Sequence, residues 1–211
     1  MSSNFNISAL VQDLEPVKPL RPRVPLLVSA LLTVVAVTVV IWSQGMRADL
    51  LAGKPDEMFL IRAGVLLLLG GATAHSVTSM ASPAVGRSQN GWQMALAAAV
   101  LFPLAAIIVA TTGDVGPAFT AMDSGMRCMG YSLVGGLATA VPMIFWLRKG
   151  APTSPERAGW LTGLASGGLG ASAYNIHCPF NNVVYIGLWY SLALIICAVL
   201  GRLIVPRLIR W

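Results

Sequence analysis

The chain has 211 residues, is 56% hydrophobic and only 10% charged, and carries a net charge of +6. Soluble domains carry about 25% charged residues, so a soluble fold of this composition would lack the polar surface to stay dispersed. The basic excess does not point to nucleic acid, because Lys and Arg are scattered and no aromatic platform lies among them.

The first stretch is the most polar. Asn6 to Glu15 reads NISALVQDLE, and Ile7, Leu10, Val11 and Leu14 fall at the i, i+3, i+4, i+7 spacing of an amphipathic helix. Pro16, Pro19, Pro22 and Pro25 then recur every third residue, which suits an extended, polyproline-like spacer. The acids in this helix make lipid headgroups a poor target, since interfacial helices are rich in Lys and Arg. Its apolar stripe suits a groove on a cytoplasmic protein, with a helix lying on the membrane surface as the plainer reading. The long polar lead, with Asp13 and Glu15, differs from a cleavable signal, so the first span is expected to remain as an anchor.

Six apolar stretches follow, at Pro25–Trp42, Leu60–Thr78, Gly91–Thr111, Cys128–Leu147, Ala158–Ile176 and Val183–Val205. Each approaches the roughly 20 residues needed to cross about 30 Å of hydrocarbon. The expected fold is therefore all-α, with residues 1–24 as a cytoplasmic N-terminal segment and 25–211 as a six-helix transmembrane domain. With six spans, ten Lys and Arg fall on the side of the termini and four on the other, which also carries five acids. The positive-inside rule then puts both termini in the cytoplasm. The six Trp residues lie near the proposed span ends, where indoles favour the headgroup level. Pro103 and Pro142 should kink the third and fourth spans.

In the fifth span Gly159, Gly163, Gly167 and Ala171 recur every fourth residue. Small residues let helices approach closely in lipid, and the fourth span is the expected partner of this face. Cys128 opens the fourth span and Cys178 follows the fifth, so two of the three cysteines are expected at the same outer end of neighbouring helices. Cys197 lies mid-span and reads as packing. Neighbouring helix ends can reach disulfide distance, and an oxidising periplasm favours pairing. A structural staple is one reading. The other is a switch between dithiol, disulfide and metal-bound states, with His177 completing a Cys, Cys, His set that suits soft or borderline metals. His75 reads as an interfacial polar residue.

The span interiors hold almost no ionisable groups, and Arg62 and Arg202 fall toward span ends, which disfavours a small transporter. No CxxC, HExxH, GxSxG or phosphate loop is present, so no enzyme activity is expected. A structural or accessory membrane protein with a stapled periplasmic face remains the alternative.

Several segments resemble the NrsF-like membrane anti-sigma factors, the negative regulators of sigma F. They are the PVKPLRP leader, RCMGYSLVGG, LRKGAPTSPERAGWLTGLASGGLGASAYNIHCP, LWYSLALIICAVLG and the closing RLIRW. The likeness covers essentially the whole chain. It implies six spans and a cysteine pair in the periplasm, at Cys128 and Cys178. It implies a cytoplasmic partner, an extracytoplasmic-function sigma factor held inactive at the inner membrane, with binding carried over to Ile7, Leu10, Val11 and Leu14. The stimuli it implies are heavy metals and oxidative stress. No cofactor is required on this reading beyond a transient heavy-metal ion at the cysteines, and the remaining contacts are with lipid and not with nucleic acid.

Overall fold

The computed structural model describes residues 21–81, 91–111 and 120–210. The expected helix with Ile7, Leu10, Val11 and Leu14 lies outside them. Among the described residues the fold is all-helical, with no strand: α1 (Arg23–Gln44), α2 (Ala48–Leu51), α3 (Glu57–Met80), α4 (Gly91–Ala110), α5 (Met122–Lys149), α6 (Pro155–Asn175) and α7 (Val183–Ile209).

Local chemistry sets the helix ends. Asp56 caps α3 by accepting from the Met58 amide at 2.8 Å, and Asn182 caps α7 by accepting from the Tyr185 amide at 3.0 Å; each satisfies a donor that the first turn leaves unpaired. Pro155 stands in the first turn of α6, where its missing amide proton costs nothing. Arg148 and Lys149 end α5, where cations meet the negative end of the helix dipole. Gly45, at φ 84°, stops α1 in a backbone conformation that suits glycine.

Four helices, α1, α3, α5 and α7, are long and apolar enough to cross a membrane; α4 contributes only a shorter apolar stretch, Ala99–Ala110, among the described residues. The expected six apolar spans are therefore four on length and composition. The reason is clearest at α6, the helix at the centre of the bundle. It packs on α7, α5 and α3, and nearly every residue from Ala158 to Asn175 is buried. A helix that touches other helices and not lipid gains from small side chains that allow close approach, so α6 is built from Gly, Ala, Ser and Thr. The lipid-type surface lies elsewhere, with Leu27, Leu31, Val34 and Val39 of α1 at least half exposed.

Three stripes of α6 serve three neighbours. A Cβ on Gly159 would stand 2.7 Å from the Gly201 carbonyl oxygen, and one on Gly163 would stand 2.6 Å from the Ala198 Cα. One on Gly167 would touch Cys197 and Leu194. This face therefore meets α7, not the expected fourth span. The α5 contact is made by other residues: a Cβ on Gly136 would be 2.8 Å from the Ser166 carbonyl oxygen. Gly168 abuts Gly70 of α3, where a Cβ would lie 2.9 Å from its Cα. With small residues on every side of α6, the four-residue period alone did not specify which neighbour takes which stripe. Cys197 is buried at this seam.

Candidate functional site

One end of the bundle gathers Cys128 from the second turn of α5, Cys178 from the α6–α7 turn, Arg62 from the second turn of α3, and Tyr185 and Tyr190 from the start of α7. The two thiols are buried, with relative exposures of 0% and 1%, and are not bonded to each other. They are close enough for a thiol–thiol hydrogen bond, and the Tyr190 hydroxyl reaches both. The expected juxtaposition of Cys128 and Cys178 is present in the structure, with the two sulfurs unbonded.

Two arginines hold the Cys178 turn. Arg62 is 1% exposed. It donates to the Phe180 carbonyl at 2.8 Å and the Cys178 carbonyl at 3.2 Å, lies 3.9 Å from the Cys178 sulfur, and stands over the Tyr190 ring at 5.3 Å. Its Nε has no partner among the described residues. Arg47, also buried, donates to the Cys178 carbonyl and to Asn181 at 3.2 Å. It is fixed by a two-pronged pairing with Asp49 at 2.9 Å, which holds the Asp49 carboxyl well below the usual carboxylate range. Hydrogen bonding from Cys128, with the nearby Arg62 charge and a backbone bond at Phe180, outweighs burial and lowers the Cys178 thiol to about 6.

The Cys178 turn is also tied to the end of α1. The Arg47 amide donates to the Ile176 carbonyl at 3.2 Å, and the His177 Nδ1 lies 3.1 Å from the Gly45 carbonyl. His177 packs edge-on against Tyr174. It thus serves the α1 junction and is not gathered with the thiols: among the described residues no group of three or more His, Cys, Asp or Glu is placed to hold a metal. His75 is exposed on α3.

Arg62 and Arg47 are the site residues that the sequence reading missed. For Arg62 the available signal was a lone arginine inside an apolar helix, which is costly in lipid and marks function more often than not.

The fold and site define a helical, membrane-type protein built around a buried dithiol. The family model described as "Negative regulator of sigma F" (NrsF) matches residues 10–211, and the chain belongs to that family. It is 33% identical, over the full length of both proteins, to the anti-sigma-F factor NrsF of Caulobacter vibrioides (strain NA1000 / CB15N). It is 41% identical to a probable anti-sigma-F factor NrsF of Azospira oryzae over 61 residues, 29% of each chain. No solved structure matches. The family is regulatory and non-enzymatic.

Proposed function

We propose that this protein is an inner-membrane anti-sigma factor that sequesters an extracytoplasmic-function sigma factor and releases it when the Cys128–Cys178 pair changes state. Family membership carries the sigma-factor partner. The buried, unbonded thiol pair carries the sensing step. In this reading α1, α3, α5 and α7 cross the membrane and enclose α6, with both termini in the cytoplasm and the thiols at the periplasmic end. The arginine asymmetry supports this topology.

The stimulus is an oxidant or a soft heavy-metal ion. Two thiolates fit a soft ion of low coordination number better than zinc, whose structural sites use four ligands. Either event changes the separation of Cys128 and Cys178 and so shifts the start of α5 against the α6–α7 turn. The turn is bound to Arg47 and Gly45, and α1 leads from there back to the N-terminal segment. Ile7, Leu10, Val11 and Leu14 of that segment contact the sigma factor. A few kcal/mol of coupling between two states suffices to shift populations widely.

The test is affinity isolation from gently solubilised membranes, comparing the full chain with one lacking residues 1–20. A sigma factor that co-isolates with the full chain alone supports both the function and the contact. One retained by both chains moves the contact to the cytoplasmic loops. Absence from both, with the protein intact, removes the regulator in favour of a structural membrane protein.

A further inference from the structure

At the end of the bundle away from the thiols, the start of α6 and the last turns of α7 border an open cavity of about 490 Å³. Arg202, Arg207 and Arg210 of α7 line it, with Glu156 of α6 as its one acidic wall residue. Glu156 pairs with Arg202 at 2.7 Å. Arg207 and Arg210 are exposed and form no ion pair among the described residues. Arg207 spends one N–H on the Leu203 carbonyl at 2.8 Å and keeps its other donors. Arg202 stands over the exposed ring of Trp160 at 5.8 Å, and an indole favours the headgroup level of a membrane. Leu203 also lines the cavity. With Val199, Ile195 and Leu192 it is exposed at spacings of four, four and three residues, which is one stripe of a helix. That stripe leads from the cavity along α7 for about 16 Å at roughly 1.5 Å per residue, about one leaflet of a hydrocarbon core roughly 30 Å thick.

We infer that this cavity holds the headgroup of an anionic phospholipid, with Arg207 and Arg210 on the phosphate and an acyl chain along Leu203, Val199 and Ile195. The site rests on the membrane topology proposed above, which puts this end of the bundle in the cytoplasmic leaflet. Charge selects the occupant: three arginines against one acid leave an excess of two positive charges, which a zwitterionic headgroup does not neutralise. A guanidinium presents a planar fork of donors that matches phosphate oxygens, and basic pockets at the cytoplasmic side of membrane helices suit lipid headgroups. The apolar stripe separates a lipid from its competitors. A free phosphate gains nothing from it, and an acidic protein segment does not follow it into hydrocarbon. A lipid bound here bridges the first turn of α6 to the last turns of α7.

The experiment uses the full chain, extracted from membranes and purified in a neutral detergent. Native mass spectrometry follows its binding of dioleoyl phosphatidylglycerol and dioleoyl phosphatidylcholine. Phosphatidylglycerol is expected to bind at least about tenfold more tightly. Arg207→Gln with Arg210→Gln is expected to weaken its binding about thirtyfold, as loss of two arginines at an anionic headgroup should. Arg148→Gln with Lys149→Gln removes the same charge at the same end of the bundle but outside the cavity, and is expected to change the affinity less than about threefold. Glu156→Gln removes the one acid of the cavity and is expected to tighten binding about fivefold, a gain that misfolding does not produce. Equal affinity for the two lipids, or equal losses from the two charge pairs, overturns the site and leaves the anti-sigma reading intact. Inorganic phosphate that displaces the lipid at equal concentration makes this a free-anion site and overturns the lipid. Loss of sigma-factor co-isolation in the Arg207, Arg210 variant, with phosphatidylglycerol binding unchanged, overturns it in favour of the protein partner. Recovery of the chain from the soluble fraction removes the membrane topology, and the site with it.

Discussion

Replacing Gly163 by Ala tests the α6–α7 seam directly. The added Cβ would stand 2.6 Å from the Ala198 Cα, and nearer still to the Cys197 carbonyl, where ordinary contact begins at 3.4 Å. Both obstacles are backbone, so no side-chain rotation relieves them. The helices must part by about 1.2 Å, the shortfall of the nearest backbone atom, the Cys197 carbonyl oxygen, from ordinary contact. A radial gap of about 0.5–1 Å forfeits a quarter to a half of the dispersion energy at each contact, and overpacking of this kind costs about 1–3 kcal/mol. The helix propensity of Ala over Gly, about 1 kcal/mol in soluble hosts, works in the opposite sense. Gly71→Ala isolates that second effect, because a Cβ there meets nothing within 4 Å. The expected outcome is that Gly163→Ala is less stable than Gly71→Ala by about 1–3 kcal/mol, read by denaturant unfolding in mixed micelles. Equal stabilities would refute close backbone contact at this seam.

Cys128→Ser and Cys178→Ser are each expected to uncouple sigma-dependent reporter output from oxidant and metal; an unchanged response in both would remove the pair as sensor. The Cys178 thiol, lowered to about 6, should react with methyl methanethiolsulfonate at a rate that is level above neutrality and falls as pH drops through that value. A midpoint near 8.5, that of a free thiol, would contradict the arrangement. For Cys178 alone, whose folded value lies below its unfolded one, the contribution to stability is present above the unfolded pKa and is lost as pH falls through about 6. Arg62→Met leaves the Phe180 carbonyl without its donor and should cost about 1–3 kcal/mol while raising the Cys178 midpoint. Arg62→Lys should restore little of either, since one ammonium cannot match a planar fork that spans two carbonyls and an aromatic face; full rescue by Lys would reduce Arg62 to a simple charge.

Much of the fold is readable along the chain because the rule for a membrane-length apolar helix is one-dimensional. A spanning segment must be long, apolar and helical to satisfy its own backbone, and that rule depends on local sequence alone. Pro155, Asp56 and Asn182 mark helix starts for equally local reasons. The spacing of Cys128 and Cys178 at two helix ends likewise follows from counting spans, and the two thiols meet in the folded chain.

What tertiary structure alone decided concerns neighbours. Gly163 faces Ala198 of α7, whereas Gly136 of α5 meets Ser166; a helix with small residues on every side carries no directional signal, so the choice falls to the packing of the whole bundle. His177 is adjacent to Cys178 in sequence, yet its ring is spent on the Gly45 carbonyl. Arg62, distant from both cysteines along the chain, reaches the Cys178 sulfur. Sequence by itself determined an all-helical chain with a thiol at each of two helix ends, because hydrophobic length and residue type are local properties. The partners of those thiols are set by side chains converging from the α1–α2 junction, α3 and α7 across the bundle, a long-range outcome that no local period encodes.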